Sequence, residues 1–180
     1  MTRRNFGLLL AFITLIGLVF VADRLLPLER FGLTPRTLDG LIGVAMMPFL
    51  HANYAHLIGN SVPLVVLLLL VMATNRAPVA TTVSITLLSG VLIWLFARGG
   101  NHIGASALVF GLATFLIAGG YQAKSAMALI AAVITLATYG VTLLSGVLPV
   151  DARVSWDGHL AGAVAGVLVA QWQRRMPVAR

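Results

Sequence analysis

Four polar side chains in this otherwise apolar chain have the types and spacing that acyl-transfer chemistry requires. Ser106 and His159 supply a hydroxyl and an imidazole, and a serine hydroxyl becomes a nucleophile when a neighbouring base removes its proton. His56 and Asn60 are four residues apart, so they share one face of a helix and can direct hydrogen-bond donors at a developing oxyanion. Each residue also has a structural interpretation, as a serine N-cap or as a polar group that bonds neighbouring helices.

The composition of the chain indicates an integral membrane protein. Hydrophobic residues make up 59% of the 180 residues and charged residues only 9%, whereas soluble domains carry about 25% charge. The net charge of +7 does not indicate nucleic-acid binding, because the basic residues occur singly or in pairs and form no basic stripe. Because cysteine is absent, disulfides and thiolate ligands are excluded, and the sequence predicts neither a metal site nor a cofactor.

Hydrophobic runs predict an all-α membrane fold of six spanning helices, since a spanning helix needs roughly 20 apolar residues. The predicted helices cover residues 6–25, 54–73, 79–96, 106–120, 125–148 and 156–172. Residues 26–50 contain prolines and charges, and we expect an interfacial loop with short helices there. The whole chain, 1–180, is predicted to form one membrane domain.

The distribution of charge predicts an orientation in the membrane. Six spans place both termini on one side, and the side whose short loops carry more Lys and Arg is normally cytoplasmic. That side would hold basic residues without any acid: Arg3, Arg4, Arg76, Lys124, Arg174, Arg175 and Arg180. The other side would hold all five acids: Asp23, Glu29, Asp39, Asp151 and Asp157. We therefore expect cytoplasmic termini in a bacterial plasma membrane and a site that opens outward.

The fourth predicted helix is too short to cross the hydrocarbon core. Its run from Ser106 to Gly120 measures roughly 22 Å at 1.5 Å per residue, against a core of about 30 Å. Non-helical backbone at membrane depth is tolerated where it is buried in protein or lines a water-filled cavity. The sequence therefore predicts a wet depression at the outer end of this helix, with Ser106 at its floor.

Small residues follow Ser106 and His159 at helical spacing. They are Gly162 and Gly166 after His159, and Ala107 and Gly111 after Ser106. Such faces let two helices approach very closely. Close packing of the fourth and sixth helices would bring the imidazole to the hydroxyl.

The combination resembles the rhomboid family of intramembrane serine proteases. The matching motifs are His51-x4-His56-x3-Asn60, Gly104-x-Ser106 and Gly158-His159-x2-Gly162-x3-Gly166. The number of helices, the long first loop and the order of the motifs also agree, so the resemblance covers nearly the whole chain. It implies a six-helix rhomboid-like bundle with a short central fourth helix.

The resemblance also implies a reaction and roles for individual residues. Ser106 and His159 would form a catalytic dyad that cleaves transmembrane segments of other membrane proteins in the bilayer. The oxyanion hole would consist of His56, Asn60 and the Ser106 N–H. The residues that support the site would be Phe110, Gly104, Gly162 and Gly166.

Two departures from the family pattern are visible. Ala107 stands where the family usually has glycine, and its methyl group is expected to narrow the cavity or shift substrate preference while nucleophile and base stay intact. The first loop lacks the Trp-Arg pair that many members carry, so the resemblance does not define the conformation of that loop.

The other histidines and the nearest acid are assigned no chemistry. His51 is expected to support the first loop, and His102 is expected either to line the cavity or to fix the loop before Ser106. Asp157 lies two residues before His159, and residues two apart on a helix do not face each other. Packing must therefore orient the imidazole, and Phe110 is the candidate.

Two other functions remain as alternatives. A catalytically silent relative that binds transmembrane segments is expected to have lost Ser106 or His159, and both are present. A small transporter would need a polar path to the inner side, and the third and fifth helices offer only Ser and Thr side chains that can bond to their own backbones. The sequence leaves the natural substrate and the oligomeric state open.

Overall fold

The computed structural model describes residues 2–122, 125–150 and 154–175. Three residues used in the charge analysis, Lys124, Asp151 and Arg180, lie outside these ranges. Within them the chain is helical, and extended backbone pairs only at an isolated antiparallel bridge between Leu33 and His102. The helices are α1 (Arg3–Ala22), α2 (Gly43–Met46), α3 (Tyr54–Thr74), α4 (Pro78–Phe96), α5 (Ser106–Gln122), α6 (Ala126–Gly146) and α7 (Trp156–Arg175).

Four of these helices, α1, α3, α4 and α6, are long and apolar enough to cross a membrane. Helix α5 is apolar but has 17 residues, which is about 25 Å. Helix α7 has 20 residues, but polar side chains occupy both its ends. The chain is therefore an all-helical protein in which four helices match the hydrocarbon core by length and composition.

Capping side chains, rather than hydropathy, determine the ends of α1. The hydroxyl of Thr2 accepts the N–H of Asn5 at 3.2 Å, so the helix begins at Arg3. Past the helix end, the Asp23 carboxylate accepts the N–H of Leu28 at 2.7 Å. Because these polar contacts lie outside the apolar run, the observed helix starts and ends about three residues earlier than the predicted range 6–25.

Helix α5 packs against α3, α4, α6 and α7, and its contact with α7 is the most extensive. The core around it consists of fully buried aliphatic side chains, among them Leu64, Leu67, Ile85, Leu108 and Leu112. By contrast, α1 and α6 expose many large apolar side chains. Such surfaces are unfavourable in water and suit contact with lipid.

The first loop consists of short helical turns that are tied to the end of α4. Its turns are Leu28–Phe31, Asp39–Ile42, α2 and Met47–Phe49. Arg36 adopts a left-handed conformation with φ +57°. Its guanidinium donates to the carbonyls of Leu95 at 3.3 Å and Ala97 at 2.8 Å, and the Trp94 indole donates to Thr37 O at 2.8 Å. These contacts satisfy carbonyls at the end of α4 and hold the loop over that end.

Candidate active site

Ser106 is the first residue of α5, and backbone hydrogen bonds hold the segment before it. The N–H of Gly104 donates to Met47 O at 2.8 Å, while His102 and Leu33 exchange N–H to carbonyl bonds at 2.8 and 2.9 Å. The Ser106 side chain is half-buried. Among the described residues no group hydrogen-bonds its hydroxyl, so the hydroxyl is not used as a cap.

Gly104 gives the His56 imidazole its place beside the serine. Its φ is +106°, a conformation that side chains with a Cβ rarely adopt. A Cβ there would also come within 2.5 Å of His56 Nε2. Asn53 caps α3 by accepting the His56 N–H at 2.9 Å. The His56 ring is thereby held against backbone two residues before Ser106.

Asn60 is buried one turn further along α3. Its side chain is 7% exposed, and Nδ2 donates to the His56 carbonyl at 2.8 Å. A carboxamide has two N–H donors, so this bond fixes the amide and leaves one donor. His56 and Asn60 together form a pair of donors on one face of α3.

A backbone carbonyl and an aromatic ring orient His159. Its Nδ1 lies 2.9 Å from Gly146 O, and because a carbonyl only accepts, Nδ1 carries the proton and Nε2 keeps a lone pair. The ring stacks on Phe110 with centroids 4.2 Å apart and 10° between the planes. Phe110 lies one turn after Ser106 on α5. The structure shows no hydrogen bond between Ser106 and His159, and such bonds often tighten only when substrate binds.

Gly146 is a site residue that the sequence analysis missed. It ends α6, and a Cβ at this position would overlap the Phe110 ring and lie 3.3 Å from His159 Nδ1. The available signal was a glycine at the end of a helix, which normally indicates only a C-terminal cap. The contact of its carbonyl with His159 could not be inferred, since that contact depends on how α6 and α7 meet.

Glycines allow α5 and α7 to touch along their backbones. A Cβ at Gly162 would overlap the carbonyl of Ala107, and one at Gly166 would overlap the carbonyl of Gly111. Thr114 of α5 also donates to a carbonyl of α7 at 2.8 Å. This contact fixes the helix that begins with the serine against the helix that carries His159.

Comparison with known proteins identifies the family. The family model of the Rhomboid domain matches residues 39–175. This chain belongs to the rhomboid family. It is similar to the uncharacterized protein Rv1337 of Mycobacterium tuberculosis, with 40% identity over 174 residues that cover 90% of this chain and 72% of the relative. The uncharacterized protein ML1171 of Mycobacterium leprae is 36% identical over 174 residues, which cover 90% of this chain and 68% of the length of that relative.

The alanine that departs from the usual rhomboid glycine points into the core. Ala107 is 4% exposed. Its side chain belongs to a buried cluster with Leu33, Met47, Ile93 and Ala97. The extra methyl group therefore fills space between α4 and the first loop rather than projecting into open volume.

An ion pair joins the loop that precedes Ser106 (residues 97–105, called the serine loop) to the start of α7 in this rhomboid protein. The Asp157 carboxylate accepts the Arg98 N–H at 2.8 Å and pairs with Arg98 Nε at 3.1 Å. It also accepts the Gly158 N–H at 3.1 Å, and the guanidinium lies over the Trp156 ring at 5.1 Å. Asp157 thus faces Arg98 and makes no hydrogen bond to His159.

A second serine–histidine pair lies in the same region. His102 Nδ1 is 2.7 Å from Ser155 Oγ, and His102 Nε2 is 3.2 Å from Arg98 O. Because that carbonyl must accept, Nε2 carries a proton. Ser155 Oγ contacts both His102 Nδ1 and the Asp157 carboxylate, and it donates to Asp157 Oδ1 at 3.4 Å. From the sequence, His102 was expected either to line the cavity or to fix the loop, and Ser155 had no predicted role. The pair links the serine loop to the residue before α7, and its geometry makes Ser155 a rival nucleophile that an experiment must exclude.

His51 packs behind His56 and is almost fully buried. Its side chain is 1% exposed, its ring meets that of His56 edge-on at 5.1 Å, and neither ring nitrogen has a hydrogen-bond partner among the described residues. Burial, with a smaller contribution from the charge of His56, lowers the pKa of His51 to about 4. His51 is therefore neutral near pH 7 and supports His56 by packing. Within the described ranges, no three His, Asp or Glu side chains converge as metal ligands.

Proposed function

We propose that this rhomboid protein is an intramembrane serine endopeptidase that cleaves transmembrane segments of other membrane proteins. The observation that carries the proposal is the His159 imidazole. Its Nδ1–H is fixed by Gly146 O at 2.9 Å, and its ring stacks on Phe110, one turn from Ser106. This arrangement leaves Nε2 as a base on the face of α5 that carries Ser106, whose hydroxyl has no hydrogen-bond partner in the described part of the chain.

The reaction would proceed by acyl transfer. Ser106 Oγ attacks the scissile carbonyl while His159 Nε2 takes its proton, and the imidazolium then donates that proton to the leaving amine. Water, activated by the same base, hydrolyses the ester that remains on Ser106. Gly146 O accepts the Nδ1–H throughout, in the place where many serine proteases have a carboxylate.

Three donors would hold the oxyanion of the tetrahedral intermediate. They are the His56 side chain, the second N–H of the Asn60 amide and the backbone N–H of Ser106. The last belongs to the first turn of α5, where N–H groups have no partner within the helix and favour negative charge. Fixed donors of this kind stabilise the transition state more than the ground state.

The proposal includes six membrane crossings, with the short α5 as the fourth. Both termini would lie in the cytoplasm, and the site would open to the outer side of a bacterial plasma membrane. Arginine pairs at the start of α1 (Arg3, Arg4) and the end of α7 (Arg174, Arg175) support this orientation. The 17 residues of α5 would leave Ser106 below the outer surface.

Labelling with a fluorophosphonate probe, followed by peptide mapping, tests the nucleophile. We expect the label on Ser106, its loss in Ser106→Ala and its retention in Ser155→Ala. The Ser155 variant is the matched control, because Ser155 is the serine that is hydrogen-bonded to a histidine in the structure. A label on Ser155 would overturn the assignment of the dyad.

A catalytically silent binder of transmembrane segments is the second candidate. One observation favours it: the Ser106 hydroxyl and the His159 imidazole are not hydrogen-bonded in the structure. The transporter alternative gains no such support. Hydroxyl groups of α4 and α6 donate to backbone carbonyls three or four residues earlier in the chain. The donors are Thr81, Thr82, Thr86, Ser89 and Thr135.

A further inference from the structure

An apolar groove with a volume of about 370 Å³ separates α1 from α4. Helix α1 packs on α3 and on the turn Met47–Phe49, while α4 packs mainly on α5, α7 and α2. The space between them is closed at one end by the first loop, through Ala45, Pro48 and Phe49. The groove therefore opens sideways, toward the surroundings of the helices.

The walls of the groove favour an aliphatic occupant. Leu8, Phe12 and Val83 line it. The hydroxyls of Thr82 and Thr86 donate to carbonyls one turn earlier in α4, both at 2.9 Å, so their hydrogen-bonding capacity is used within the helix. In a bilayer, an open groove of this kind is filled by acyl chains, because water is absent from the hydrocarbon region.

The dimensions suit a single extended chain. On α1 the lining runs from Asn5 to Phe12, and on α4 from Pro78 to Leu87. At 1.5 Å per residue these stretches measure about 10 and 14 Å. The groove thus begins at the N-terminal end of α1 and stops beneath the first loop.

Basic residues adjoin in sequence the lining residues at the end of the groove opposite the first loop. Arg4 precedes the lining residue Asn5, and Arg76 lies two residues before Pro78. Arg3, Arg4 and Arg76 are all exposed, and none forms an ion pair with another described residue. The acids of the described ranges lie between residues 23 and 39 or at the start of α7, away from this end.

We propose that the groove is a binding site for an anionic phospholipid. One acyl chain lies between α1 and α4, and the phosphate meets Arg4 and Arg76 at the membrane surface. The occupant comes from the leaflet at the N-terminal end of α1. Its far end reaches Phe49, whose ring packs edge-on against Phe12 at 5.3 Å, so the lipid supports the first loop from below. This proposal does not depend on protease activity.

Native mass spectrometry of the purified protein, equilibrated with equal amounts of phosphatidylglycerol and phosphatidylcholine, tests the site. We expect one phosphatidylglycerol to be retained in preference to phosphatidylcholine. The double variant Arg4→Gln, Arg76→Gln should lose about tenfold in its retention of phosphatidylglycerol. Val83→Trp, which fills the groove at a residue 49% exposed, should lose retention of both lipids. Arg24→Gln, beyond the opposite end of α1, is the matched control and should behave as wild type.

Three results would overturn the proposal. Equal retention of both lipids by all variants would show nonspecific annular lipid. If the arginine variant lost phosphatidylglycerol but Val83→Trp retained it, binding would be to surface charge and not to the groove. An added transmembrane peptide that is retained by wild type, excludes the lipid and is lost in Val83→Trp would assign the groove to a protein partner instead.

Discussion

At the scale of single residues, the imidazole of His159 is oriented by neutral groups. The Gly146 carbonyl fixes the tautomer, and Phe110 fixes the plane of the ring. No carboxylate hydrogen-bonds this imidazole in the part of the chain that the structure describes. The position of this imidazole therefore depends on close packing, and if His159 is the base, small changes of shape around it should have large effects on rate.

Gly146→Ala should lower kcat by roughly a hundredfold on a transmembrane substrate. The new Cβ would overlap the Phe110 ring and press on His159 Nδ1, and a displacement of about 1 Å at a catalytic group can cost on the order of a hundredfold. The matched control is Gly140→Ala in the same helix, where the Cβ meets only the flexible Leu136 side chain. Equal rates for the two variants would contradict the role assigned to Gly146.

His51 should make the protein sensitive to acid. Its pKa is lowered to about 4 from 6.5, so the unfolded state binds more protons between these values and the free energy of unfolding rises with pH in this window. The contribution of neutral His51 to the free energy of unfolding is therefore fully present above about pH 6.5 and is lost as the pH drops toward 4. Melting temperatures measured across this range should fall less steeply for His51→Phe than for wild type, and parallel slopes would exclude His51 as the cause.

At the scale of elements, polar contacts hold the serine loop to α7. The Arg98–Asp157 ion pair and the His102–Ser155 hydrogen bond both cross from this loop to the start of the helix that carries His159. The glycine contact between α5 and α7 fixes the same two elements deeper in the bundle. The two sets of contacts together define the separation of Ser106 and His159.

Arg98→Gln should lower kcat about tenfold while KM stays nearly unchanged, because the ion pair positions the serine loop and does not touch substrate. We expect the same of Asp157→Asn. Arg24→Gln is a matched control: the Arg24–Asp23 pair has side-chain exposures of 45% and 6%, against 46% and 9% for Arg98–Asp157. If Arg98→Gln and the control had the same kcat, the positioning role would be wrong.

The sequence predicts those features of the fold that depend on a single helix. Hydropathy runs indicate the helices, and the spacing of Gly162 and Gly166 indicates a face for close packing. It did not identify Gly146, because a carbonyl becomes a partner only through the meeting of α6 and α7. The Arg98–Asp157 pair was missed for the same reason, since both charges belong to segments far apart in the chain. Roles of Ser106, His56 and Asn60 come from family resemblance and remain to be measured.

At the scale of the whole molecule, the absence of native cysteine allows a direct test of orientation. Cysteine introduced at Asp39, in the first loop, should react with an impermeant thiol reagent added to intact cells. Cysteine at Arg76, in the turn between α3 and α4, should react only after lysis. Both positions are exposed in the structure, so accessibility within the protein does not bias the comparison. The reverse pattern would place the site on the cytoplasmic face.

The central claim is that Ser106 and His159 act as one unit in cleaving transmembrane segments. The most direct measurement is cleavage of a helix-destabilised transmembrane substrate in proteoliposomes by wild type, Ser106→Ala, His159→Ala and the double variant. We expect wild type to cleave, each single variant to be inactive, and the double variant to be no worse than either, because nucleophile and base depend on each other. Cleavage by Ser106→Ala at the wild-type rate would contradict the claim, and an inactive wild type would favour the silent binder.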